Sequence, residues 1–140
     1  MGSVLHASYD KTELLTLPNS IYGVPPYLTM RGNELFKLAV NVMGKVVDEV
    51  LDVSQLKKSD IQWLIPHQAN MRIIQAIAKK LDLPMSRVIT TIAEQGNTSA
   101  ASVPLALDHS IRTNKIKRDD IILLEAFGGG MTWGAMAIRY

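Results

Sequence analysis

The stretch Ile61-Gln62-Trp63-Leu64-Ile65-Pro66-His67-Gln68-Ala69-Asn70-Met71-Arg72 passes from one structural period to another within a few residues. Ile61 to Ile65 is a compact apolar run that suits a buried strand, and Pro66 stops it because proline has no amide to give to a ladder. From Ala69 to Leu81 the residues Met71, Ile74, Ala78 and Leu81 recur at helical spacing, with Ile73 and Ile77 alongside. Lys79 and Lys80 stand at the negative end of that helix. A buried strand leading straight into an amphipathic helix predicts an α/β fold with a layered mixed β-sheet packed with helices. It also places His67 at the carboxyl end of a strand, where open α/β sheets collect ligands.

Upstream, Leu35, Ala39, Val42, Val46 and Val50 form one helical row and Phe36, Val40, Met43, Val47 and Leu51 a second, predicting a helix from Asn33 to Leu51 with a wide buried face. Before it, Ser3 to Ala7 reads as a strand. Leu17-Pro18-Asn19 and Val24-Pro25-Pro26 mark an irregular loop, because proline restricts the backbone and removes donors. Ser54 to Lys57 reads as a short helical turn. Downstream, Pro84 to Val88 begins another turn, Ile89 to Ile92 reads as extended, and Glu94 to Thr98 as a polar loop around Gly96. A helix is expected from about Ala100 to Thr113, with Pro104 tolerable near its first turns. Asp120 to Phe127 reads as an apolar strand, Gly128-Gly129-Gly130 as a sharp turn and Thr132 to Tyr140 as a final strand. The skeleton expected is strand, helix, strand, helix, strand, strand.

The 140 residues are enough for one ordinary domain, and residues 1–140 are read as one. Hydrophobic residues make up 47% and aromatics only 6%, so the core is aliphatic. Met1-Gly2-Ser3 leads into a strand with no earlier element to pair with, which suggests a piece of a longer chain. No apolar run reaches the roughly 18 residues of a membrane span, and no signal-peptide pattern opens the chain. The expectation is a soluble, cytoplasmic protein. The formal charge of +2 comes from basic residues scattered among acidic ones, which gives nucleic-acid binding little support. The absence of cysteine removes disulfides, thiolate metal sites and a thiol nucleophile. His6, His67 and His109 have no ligand spacing, so no metal is expected.

Three places can carry chemistry, each with a structural alternative. A neutral imidazole at His67 can donate to a developing oxyanion; it can equally cap the helix or bond within its loop. Asn97, in Gly96-Asn97-Thr98-Ser99, is first an N-cap signature. Its amide is also a neutral donor that cannot lose its proton. Gly128-Gly129-Gly130 can be a tight reversal, or a turn whose bare amides approach a carbonyl. Ser99 and Ser102 lack the strand, elbow and helix context of a serine nucleophile and read as cap and packing residues. Lys79, Lys80, Arg112, Lys115, Lys117 and Arg118 read as a solvated surface that also suits an acidic partner.

Taken together, Trp63 to Asn70, Gly96-Asn97-Thr98-Ser99-Ala100-Ala101-Ser102-Val103-Pro104 and Leu124-Glu125-Ala126-Phe127-Gly128-Gly129-Gly130-Met131-Thr132-Trp133-Gly134 resemble the C-terminal half of β-ketoacyl-acyl carrier protein synthase III. The likeness extends to Leu14-Leu15-Thr16-Leu17-Pro18 and to Met30-Arg31-Gly32-Asn33-Glu34-Leu35-Phe36-Lys37. It implies a thiolase-like half-fold, with the catalytic cysteine on a separate N-terminal half that this sequence does not contain. It implies that His67 and Asn97 hold the oxygen of a malonyl thioester during decarboxylation, and that the Gly129 amide serves the acyl carbonyl. By the same resemblance Gly32, Asn33 and Asn70 meet the pantetheine arm of coenzyme A, and Arg72 meets a phosphate or an acidic carrier protein.

The implied partners are acyl-CoA, malonyl-acyl carrier protein, the N-terminal half and a second copy in a homodimer. No cofactor is implied beyond the coenzyme A thioester as substrate, and neither nucleic acid nor a membrane is implied. The chain alone is expected to be inactive. Two alternatives remain at this point: a related condensing enzyme of secondary metabolism, and a non-enzymatic acyl-thioester-binding or dimerisation module.

Overall fold

The computed structural model describes residues 1–17 and 27–140. The irregular loop expected around Pro18 and Val24-Pro25-Pro26 lies outside the described residues, with only Leu17 at its edge inside them. The principal sheet has four strands in the order β1 (Gly2–Ala7), β6 (Thr132–Arg139), β5 (Ile121–Gly128) and β4 (Trp63–Pro66). β4 and β5 run parallel, while β5 with β6 and β6 with β1 are antiparallel. A two-stranded ribbon joins β2 (Leu15–Thr16) to β3 (Thr29–Met30).

Helix α1 (Gly32–Ser54) packs on one face of the sheet with α2 (Met71–Lys80) beside it. The two apolar rows make this possible. Val46, Val47, Val50 and Leu51 of α1 enclose a core with Leu64, Leu123, Ala135 and Ala137 of the sheet and Ile74 and Ile77 of α2. On the opposite face Ile65, Ile122 and Ile116 pack against Ala106 of α4 (Ser102–Arg112). The expected mixed sheet between helices is therefore observed as three layers.

Several boundaries differ from expectation for identifiable reasons. The Ser54 to Lys57 turn is instead the end of α1, closed by Gln55 in the left-handed conformation, and the short helical turn comes later at Lys58–Asp60. Ile89 to Ile92 is not a strand. Val88 makes a single parallel bridge to Leu64, and Ile92 already begins the short helix α3 (Ile92–Gln95). Glu94 and Gln95 accordingly belong to that helix and not to a loop. The expected helix from Ala100 is split into a 3-10 turn at Ser99–Ala101 and α4, which leaves Pro104 within the first turn of α4 where its missing amide costs little. Three helices, α2, the short α3 and α4, lie between β4 and β5, where the skeleton of strand, helix, strand, helix, strand, strand shows one even though the helices from Ala69 and from about Ala100 are both expected individually.

The α4 face of β1 and β6 is left partly uncovered. Leu5 of β1 is 80% exposed and Met136 of β6 44% exposed. Leu124, the strand partner of Met136, packs on the α4 side, so both apolar side chains share that face with α4.

Candidate functional site

β4 and β5 end on the same side of the sheet because they are parallel. Pro66 pairs with Glu125, and the His67 amide donates to the Glu125 carbonyl at 2.8 Å, which extends the ladder by one residue. β5 continues to Gly128, so the glycine turn stands beyond the same edge as His67. That end of the sheet also receives the loop before α4, because Ser102, the first residue of α4, bonds the His67 ring. Ser102 Oγ lies 2.6 Å from His67 Nδ1 and accepts the Gln68 amide at 3.2 Å. The topology therefore gathers His67, the Asn97 loop and the glycine turn at one end.

Gln68 makes this junction rigid. Its side chain is fully buried, donates to the carbonyls of Pro66 at 2.7 Å and Ile89 at 3.3 Å, and accepts from the Thr91 amide at 2.9 Å. One side chain thus ties the His67 turn to the segment that leads to Asn97. Neither Gln68 nor Ser102 was singled out as part of the site from sequence. The only signal was their place inside the blocks around His67 and Asn97.

Burial lowers the His67 pKa from its ordinary value, so the imidazole is neutral at pH 7. A neutral ring has one N–H to offer, which suits a donor to a negative oxygen. Asn97 is exposed, and its Oδ1 accepts from the Ser99 amide at 2.9 Å. It does not cap α4, whose N-cap is Ala101 without a side-chain bond. With Oδ1 turned inward, the Nδ2 hydrogens are the part of Asn97 directed away from its own loop.

The loop that carries Asn97 depends on an unusual backbone. Gly96 has φ 68° and ψ −165°, a region essentially reserved for glycine, and Ser99 has φ 53°. A Cβ at Gly96 would meet nothing within 4 Å, so Gly96→Ala is opposed by backbone strain alone. Chemical denaturation should show Gly96→Ala destabilised by about 1–3 kcal/mol. A neutral result would mean that this loop relaxes freely. In the glycine turn Gly130 has φ 138°, again a glycine conformation, whereas Gly129 is exposed and a Cβ there would make only ordinary contacts with Leu15. The sequence places glycine at 129 beyond what the turn needs.

The four positions assigned by resemblance to the pantetheine arm and its phosphate also come together. Gly32 and Asn33 open α1, Asn70 caps α2, and Arg72 lies in the first turn of α2. The Arg72 guanidinium stacks 5.6 Å from the ring centroid of Phe36 on α1, which joins the two helix starts. The Asn70 Oδ1 accepts from the Ile73 amide at 3.0 Å, which leaves its amide nitrogen as the group able to meet a ligand. Among the described residues no cluster of His, Cys, Asp or Glu has the arrangement of a metal site.

Comparison with known proteins assigns the chain to a family. The family described as 3-oxoacyl-[acyl-carrier-protein] synthase III C terminal matches residues 51–140. The chain belongs to that family. Among curated relatives, the β-ketoacyl-[acyl-carrier-protein] synthase III of Alkalilimnicola ehrlichii is 62% identical over 115 residues, covering 82% of this chain and 36% of the relative. That of Coxiella burnetii is 54% identical over 141 residues, covering 99% of this chain and 44% of the relative. The solved 3-oxoacyl-[acyl-carrier-protein] synthase III of Aquifex aeolicus superposes with a TM-score of 0.93 at 46% identity, over 99% of this chain and 43% of that one. The chain therefore spans less than half the length of these synthase III relatives. Its α/β architecture is the thiolase-like half-fold that the resemblance implied.

Proposed function

We propose that this chain supplies the decarboxylation half of a synthase III active site, within a homodimeric, cytoplasmic enzyme that condenses acyl-CoA with malonyl-acyl carrier protein. The observation that carries the reading is the gathering of His67, Asn97 and the glycine turn at one end of the sheet, with Nδ1 of His67 and Oδ1 of Asn97 both engaged internally. The groups left to face a substrate are then the Nδ2 amide donor of Asn97 and the Nε2 of His67.

In the reaction an acyl group is first held as a thioester on a cysteine of the N-terminal half. The bond between the malonyl α-carbon and its carboxylate breaks, carbon dioxide leaves, and the electron pair moves through the α-carbon onto the thioester oxygen. His67 Nε2–H and Asn97 Nδ2–H hold that oxygen as its charge grows. The enolate carbon then attacks the acyl carbonyl, whose oxygen takes charge beside the Gly129 amide, and the cysteine sulfur departs as thiolate. Gly32, Asn33 and Asn70 receive the pantetheine arm, and Arg72 pairs with its phosphate or with the acidic carrier. The partly uncovered face around Leu5 and Met136 is the surface for the remainder of the enzyme.

The chain contains no cysteine, so the reading makes a direct demand. With acyl-CoA and malonyl-acyl carrier protein supplied, the 140-residue chain should form no ketoacyl product, and the same chain joined to a cysteine-bearing N-terminal half should form it. Robust turnover by the chain alone would overturn the assignment.

A further inference from the structure

Ser102 is 1% exposed, sits 35 residues from His67 in sequence and shares its hydroxyl between two partners. Its oxygen accepts the Gln68 amide at 3.2 Å. The hydroxyl proton must then find an acceptor, since a buried donor left without one is costly. Among the described residues the acceptor within reach is His67 Nδ1, at 2.6 Å. A neutral imidazole that accepts at Nδ1 carries its proton at Nε2.

We propose that Ser102 is a positioning residue that donates its hydroxyl proton to His67 Nδ1, fixing both the ring orientation and the Nε2–H tautomer. The inference deepens the proposed function, because only this tautomer directs an N–H outward toward a substrate oxygen. The opposite tautomer would turn a lone pair toward the developing charge and repel it. Ser102 does this work without touching substrate, through the same oxygen that anchors the Gln68 amide. The backbone of the His67 turn and the protonation site of its ring are thereby set by one hydroxyl.

The test is imidazole nitrogen NMR at neutral pH on the isotopically labelled chain, with the His67 signals assigned by their loss in His67→Ala. The wild type should show Nε2 protonated and Nδ1 as a hydrogen-bond acceptor. Ser102→Ala should lose that exclusivity, with an Nδ1–H population appearing and the Nδ1 shift moving toward that of an unbonded ring. Ser102→Thr, which keeps a hydroxyl, should restore the wild-type pattern. An Nδ1–H tautomer in the wild type would overturn the proposal, as would a Ser102→Ala spectrum identical to wild type. Should Ser102→Ala fail to fold, the wild-type tautomer and its retention in Ser102→Thr decide the matter. None of these readouts uses a substrate, so failure here is distinguishable from failure of the decarboxylation reading, which would show as turnover indifferent to His67.

Discussion

His67→Ala and Asn97→Ala should each lower malonyl-thioester decarboxylation by about 10²–10³-fold when this chain is joined to a cysteine-bearing N-terminal half, the usual effect of removing one preorganised oxyanion donor. Acyl transfer from coenzyme A to the cysteine should lose much less. The asymmetry follows from where charge develops. In decarboxylation it appears on the malonyl thioester oxygen, facing the two side chains, whereas in acyl transfer it appears on the acyl carbonyl, served by the Gly129 amide. Release of carbon dioxide and burst labelling of the cysteine measure the two steps separately. Equal loss in both would mean that the pair orients the active site as a whole and does not act as a donor pair for the enolate. Because both donors hold one oxygen, the double variant should fall short of the product of the single effects.

The second large effect concerns Glu125, whose carboxyl is 2% exposed on the core face of β5 with both oxygens lacking a partner among the described residues. Burial pushes its pKa up to about 8 from an ordinary 4.5, so the folded chain holds this group as a neutral acid at pH 7. Below pH 4.5 both folded and unfolded chains carry the proton, and nothing is lost. Above that, the unfolded chain releases its proton while the folded chain retains it, so stability falls as pH rises toward 8. The full loss is on the order of 5 kcal/mol. His67 works in the opposite direction, because its lowered pKa weakens the fold as pH falls below 6.5. Between pH 6.5 and 8 the Glu125 effect is the larger, with His67 opposing it only toward the lower end. Wild-type stability should drop there by about 2 kcal/mol, and Glu125→Gln should flatten the profile and be the more stable at pH 8. Denaturant midpoints across that range would measure it. An unchanged slope in the variant would mean that the carboxyl is hydrated or paired in solution.

Elements whose reasons are local were legible in the sequence. The two rows of α1 and the stripe of α2 need nothing beyond the period of their own residues and appear within a few residues of expectation, whereas β4 runs from Trp63 through Pro66 and is not stopped by it, because the His67 amide carries the ladder on to the Glu125 carbonyl. Ile89 to Ile92 was misread because a β-branched run favours extended structure, yet the Gln68 side chain takes the Thr91 amide from 23 residues away and the chain turns into α3. The site divides in the same way. His67, Asn97 and the glycines stood out by type and position. Ser102 and Gln68 did not, because a serine early in a helix and a glutamine after a strand have many ordinary uses, and only the packing of α4 against the end of β4 makes them partners of His67.

The most direct test of the donor pair is a crystal structure of the full-length enzyme carrying this chain, with a malonyl thioester analogue that cannot lose carbon dioxide. The account predicts the thioester oxygen at about 2.7–3.1 Å from both His67 Nε2 and Asn97 Nδ2. A thioester oxygen lying instead against the Gly129 amide, beyond hydrogen-bonding distance of either side chain, would contradict it.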